Sequence, residues 1–191
     1  MSTPFDRADS VHNGVLAEKL RATRQRVNAL LKRLEESPSP LYERIVDDAV
    51  RIMHSDFASL QMLFPERGSG GELRLLSFRG FNPQAAKFWE WVGAEGKSTC
   101  GVALVTRERA VAPEIATCEY MADSEDQRTY VQTGIHACQT TPLIAGSGKL
   151  VGMISTHWRN PHVPSETDLR LFDILAKQAA DLIEHRRLLL A

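Results

Sequence analysis

The spacing of hydrophobic and polar positions changes several times along this chain, and each change marks an element. Over 15–36, Leu16, Leu20, Thr23, Val27, Leu30 and Leu34 recur at alternating steps of four and three, the a/d spacing of a coiled-coil seam. Arg21, Arg24, Lys32 and Glu35 fill the remaining surface, so the pattern predicts a helix that pairs with a second copy or packs on its own domain. Ser37-Pro38-Ser39-Pro40 ends it, because proline lacks the helical donor and pushes the preceding residue out of helical geometry. A second helix over 41–53 places Leu41, Ile45, Ala49 and Ile52 on one face.

Strand signals follow. Apolar runs over 56–64 and 73–78 flank the glycine-rich segment 65–71, which predicts an antiparallel hairpin. The segment 83–92 reads as a helix with Pro83 at its start, and 99–107 as a short helix capped by Ser98 or Thr99. Residues 109–113 form a short strand candidate and 123–132 a helix capped by Asp123 or Ser124. Two further strands, 137–144 and 150–158, are joined by Ala145-Gly146-Ser147-Gly148-Lys149. A long helix from Pro164 or Ser165 to about Leu190 opens with the capping pattern Ser165-Glu166-Thr167-Asp168. Its stripe runs through Leu169, Phe172, Leu175, Ala176, Ala179, Leu182, Ile183 and Arg186. The order predicts an α+β domain: an antiparallel sheet with short helices on one face and a long helical pair on the other.

Composition narrows the function classes. With 191 residues, 43% of them hydrophobic, the chain is expected to bury one full core, leaving 1–14 as a disordered start, 37–40 as a linker and 41–191 as the domain. A formal net charge of -1 with interspersed signs gives no reason to expect nucleic acid or a membrane surface as partner. No run approaches the roughly 20 apolar residues of a bilayer span, and the start is polar, so a cytoplasmic location is expected. Cys100, Cys118 and Cys138 are an odd number without CxxC spacing, which predicts reduced thiols.

The ordered set Ser98-Thr99-Cys100-Gly101-Val102-Ala103-Leu104, Val111-Ala112-Pro113, Thr140-Thr141-Pro142-Leu143, Leu150 to His157 and Pro164-Ser165-Glu166 closely resembles GAF domains of bacterial sensor proteins, over about 41–188. The resemblance implies a five- or six-stranded antiparallel sheet, a ligand pocket between one sheet face and the helices crossing it, and terminal helices that dimerise and relay conformational change. It further implies a homodimer, with Leu16, Leu20, Val27, Leu30 and Leu34 as the dimer helix, working with a separate histidine kinase or other output protein. In that fold Trp89, Trp91, Phe88, Tyr120 and Tyr130 lie on segments that cross the pocket, either stacking on a planar ligand or roofing the core. Strand alternation makes Cys138, Thr140, Ser155 and His157 candidates for its floor, and Cys100 is a further pocket candidate.

Each chemical candidate has a plainer counterpart. Cys100 precedes Gly101 at a helix start, where amide dipoles can lower a thiol pKa, yet small cysteines at such junctions are usually buried packing. We take the second reading. His136, His157 and His162 match no compact metal motif, so no metal is expected. The ligand and any cofactor stay unidentified. Free methionine-R-sulfoxide reductases are GAF proteins with a similar Cys-Gly, and supply one alternative. This chain has Glu90 where that family carries a resolving cysteine, and neutral residues where it carries acids on the two central strands. Bilin attachment and cyclic-nucleotide signatures are absent. The expectation is a non-enzymatic sensory or regulatory module; a structural docking domain with an occluded pocket is the further alternative.

Overall fold

The structure is a computed structural model that describes residues 40–190. The expectations for 1–14, for the seam Leu16, Leu20, Val27, Leu30 and Leu34, and for 37–39 lie outside the described residues.

Helix α1, Pro40–Met53, starts with proline at a position whose N–H needs no helical partner. It buries Ile45, Val46, Ala49 and Met53, the stripe anticipated with Val46 and Met53 added and with Leu41 and Ile52 at its margin. Strands β1, Phe57–Phe64, and β2, Glu72–Arg79, are antiparallel. The loop between them uses Gly68 and Gly71 at φ 62° and 85°, backbone that other residues adopt at a cost. Opposite Leu60 and Gln61 the pairing skips Leu76, a bulge.

Helix α2, Pro83–Phe88, is shorter than the predicted 83–92. Asn82 caps it, its Oδ1 accepting from Ala85 N–H at 2.8 Å. Trp91–Gly93 then forms strand β3 on the free edge of β2, with Leu73 opposite Val92 and the Glu90 carbonyl accepting from Leu75 N–H at 3.0 Å. The backbone groups of that edge, and burial of Val92, outweigh the helical reading of the aromatic cluster.

Helix α3, Thr99–Thr106, is capped by Ser98 and closes with Arg107 in the left-handed region. Strand β4, Ala110–Ala112, precedes two single-turn 3-10 segments, Ile115–Thr117 and Glu119–Met121. Helix α4, Glu125–Thr133, is capped by Ser124 and ends at Gly134 with φ 79°. Strands β5, Ala137–Ile144, and β6, Leu150–Trp158, match the two anticipated runs. Helix α5, Glu166–Leu190, begins where Ser165 Oγ accepts from Asp168 N–H at 3.1 Å.

All six strands pair antiparallel in the order β3-β2-β1-β6-β5-β4. Alternation divides the core in two. Ala58, Leu60, Ala137, Leu143, Val151, Ile154 and Trp158 face α1 and α5, where Phe172, Ala176, Ala179, Ala180 and Ile183 complete one cluster. Phe57, Leu73, Cys138 and Met153 belong to the other cluster, with Ala85, Trp89, Ala103, Ile115, Met121 and Tyr130 from the covering segments. The candidate site lies in this second layer.

Candidate functional site

Register across the centre of the sheet builds the floor. Ser59 of β1 stands opposite Ser155 of β6, which stands opposite Thr140 of β5: three hydroxyl residues in one row. The adjacent row is Phe57, His157 and Cys138. Two-residue alternation puts both rows on the same face, and antiparallel pairing brings residues far apart in sequence into contact.

The start of α3 descends onto these rows. Thr99 Oγ1 and Thr140 Oγ1 share a hydrogen bond of 2.8 Å, as do Thr140 Oγ1 and Ser155 Oγ. Cys100 Sγ lies 3.4 Å from Ser155 Oγ and 3.6 Å from Thr140 Oγ1, and Cys138 Sγ lies 3.5 Å from Thr99 Oγ1. Gly101 permits this descent, because a Cβ there would run into the Gly96 carbonyl. Above the second row, aromatic rings close over His157: Phe81 with centroids 5.4 Å away and Tyr130 at 5.9 Å. Trp89 lies 4.6 Å from Tyr130 and 5.2 Å from Phe81, and its Nε1 donates to Asp126 Oδ1 at 3.2 Å.

Burial dominates the electrostatics. The Cys100 thiol is pushed up by burial, which outweighs the hydrogen bonds from Ser155 and Thr140 that favour its thiolate. Cys138 is pushed up to about 12, again chiefly by burial. The Tyr130 hydroxyl is raised well above its ordinary value by burial, and Asp126 is raised by burial despite the Trp89 hydrogen bond. His157 is lowered to about 3 by burial alone, so its ring is neutral at physiological pH. It is 2% exposed, and neither Nδ1 nor Nε2 has a hydrogen-bond partner. Leaving a buried polar group unpaired costs roughly 1–3 kcal/mol, so this imidazole is the least satisfied group of the site.

Of the predicted pocket residues, Trp89, Cys100, Tyr130, Cys138, Thr140, Ser155 and His157 come together here. Trp91 does not: it sits on β3 against Phe64, with the Arg67 guanidinium 3.9 Å over its ring. Tyr120 lies in the second 3-10 segment, 37% exposed, its hydroxyl raised first by burial and then by the thiols nearby. Thr99, Phe81, Asp126 and Ser59 are members that sequence reasoning missed. Ser59 and Gln61 carried a signal, being polar residues two apart in an otherwise apolar strand. Phe81 carried none. Among the described residues no group of His, Cys, Asp and Glu is arranged to hold a metal ion, and no helix is long and apolar enough to cross a membrane.

Fold and site together define an α+β domain with a buried, neutral polar face roofed by short helices and its N- and C-terminal helices on the opposite face. The sequence profile of the GAF domain family matches residues 35–184, and the chain belongs to that family. The GAF domain of a two-component sensor histidine kinase from Bacillus halodurans is similar at 17% identity, covering 76% of this chain and 92% of that one, TM-score 0.59. The GAF domain of a Coxiella burnetii phosphoenolpyruvate-protein phosphotransferase is similar at 16% identity, covering 86% and 96%, TM-score 0.62. A type II free methionine-R-sulfoxide reductase from Thermoplasma acidophilum is similar at 15% identity, covering 80% and 96%, TM-score 0.58. No curated protein matches the chain.

Proposed function

We propose that this protein is a non-catalytic GAF sensory or regulatory module of bacterial signal transduction. It holds a small molecule between the sheet and its roof and relays the bound state through its terminal helices. One observation carries the reading: β6 presents Ser155 and His157 to the roofed face and, on the residues between and after them, Thr156 and Trp158 to the helical face. Any shift of the strand at the site is therefore a shift under the helices. Trp158 Nε1 donates to the Met53 carbonyl of α1 at 3.3 Å. Thr156 Oγ1 accepts from Gln139 Nε2, Gln139 Oε1 from Thr141, and Thr141 Oγ1 from Arg109, each at 3.0 Å; Arg109 is paired with Asp173 of α5. A ligand that favours one packing of these contacts shifts the helical pair.

The module works as a cytoplasmic homodimer, through residues 15–36 and α5, with a histidine kinase or comparable output protein. The raised thiols of Cys100 and Cys138 argue against either of them as a nucleophile, since the thiolate is the reactive form. The near-complete burial of Thr140, Ser155 and His157 favours one second reading, a docking module with a permanently closed interior.

Mass spectrometry of the native protein separates the two. A stoichiometric co-purifying small molecule, with a dimer that Leu20→Asp and Val27→Asp dissociate, is the expected result. An empty chain that binds nothing from a metabolite library, or a monomer at micromolar concentration, sinks the corresponding half of the proposal.

A further inference from the structure

We propose that the site takes a small uncharged aromatic or heteroaromatic ring bearing a hydrogen-bond donor and acceptor, anchored by His157 in the place now filled by the Phe81 ring. This deepens, and rests on, the reading of the domain as a ligand-binding module.

Phe81 acts as an internal stand-in. Its ring packs 5.4 Å from His157, 5.2 Å from Trp89 and 5.6 Å from Phe78, so the space over the imidazole accepts a six-membered ring. A phenyl group offers no hydrogen bond, and both His157 nitrogens are left unpartnered beneath it. The hydroxyls beside them differ: Thr99, Thr140 and Ser155 already satisfy one another. The unmet demand at His157 is therefore one donor and one acceptor, which a neutral imidazole offers in return.

Charge is excluded by the surroundings. Burial is the only cause shifting His157, no charged group contributing, and Asp126 is engaged by Trp89. Arg159 lies over the Phe57 ring and pairs with Asp56 at the strand end. An anionic ligand would lose its hydration with no cation turned towards it, and a cationic one would have to compete with Trp89 for Asp126. Phe81 belongs to the link between β2 and α2, directly after Gly80 at φ 82°, so it is displaced by moving a loop without breaking a strand.

The test uses the full chain with benzamide as probe and toluene, matched in ring and lacking the polar edge, as control. Binding is followed by ligand-observed NMR and calorimetry in the native protein, in Phe81→Ala, and in Phe81→Ala with His157→Leu. Phe81→Leu replaces Phe81→Ala throughout if the alanine protein does not melt cooperatively. Opening the position should strengthen benzamide binding about tenfold, and adding His157→Leu should weaken it about tenfold while leaving toluene unchanged, as expected for a buried hydrogen bond. Equal loss of both probes, insensitivity of benzamide to His157→Leu, or no binding of either overturns the assignment. If a charged or aliphatic molecule co-purifies with the native chain, the ligand class is wrong while the binding module stands; if nothing co-purifies and no library compound binds, the module reading itself fails.

Discussion

Acidification should expose the buried imidazole of His157 through stability. An unfolded histidine titrates near its ordinary 6.5, whereas in the fold it titrates at about 3, because burial alone disfavours the cation. Between those values the unfolded chain binds a proton that the folded chain refuses. The native state therefore has its full stability above 6.5 and loses it as pH falls towards 3. At about 1.4 kcal/mol per pH unit, lowering the pH from 7 to 5 costs about 2 kcal/mol from this residue. Asp126, raised by burial, acts with the opposite sign in part of this range, since the folded carboxyl takes its proton at higher pH than the unfolded one. It is common to wild type and His157→Leu, so the comparison of the two cancels it. Urea unfolding at pH 7 and pH 5 should show wild type losing about 2 kcal/mol more than His157→Leu. Equal losses in the two proteins would refute the reasoning, because they would mean that the imidazole protonates in the folded state without penalty.

Three further outcomes follow from local geometry. Gly101→Ala should lower stability by about 2 kcal/mol or more, because the Gly96 backbone must move, while Gly93→Ala, with open space around it, should change little; thermal melts compare them. Native-state titration with a thiol reagent should modify the half-buried Cys118 first and reach Cys100 and Cys138 only on unfolding; fast modification of all three would contradict the buried thiols described above. Arg109→Leu removes the bridge from Thr141 to Asp173 and should cost about 1–2 kcal/mol in urea unfolding, more than Lys177→Ala, whose pairing with Asp181 is exposed; an equal effect would show that the bridge is no more than a surface pair.

Much of the fold was legible because its signals are local. The runs 137–144 and 150–158 needed only apolar and β-branched residues around a glycine-containing turn, and Ser98, Ser124 and Ser165 announced helix starts through side chains that bond amides three residues on. The 83–92 helix failed for a non-local reason. Trp91 and Val92 were taken by the open edge of β2, and no periodicity in their own segment reports a distant edge.

The site was legible in part for the same reason. Alternation along β5 and β6 was enough to put Cys138, Thr140, Ser155 and His157 on one face, and the Ser-Thr-Cys-Gly run was enough to start a helix at Thr99. Which of these residues meet, and in what state, depends on register and packing. The Ser59, Ser155 and Thr140 row exists because three strands align, and Cys100 loses the benefit of its helix start because the roof excludes water from it. The sequence by itself determined most of the elements, with β3 the exception, together with the family and the neutral character of the floor. Only the tertiary structure decided that Phe81 would close over His157 and leave its two nitrogens unpaired, because desolvation is set by what surrounds a residue in space and not by its neighbours in the chain.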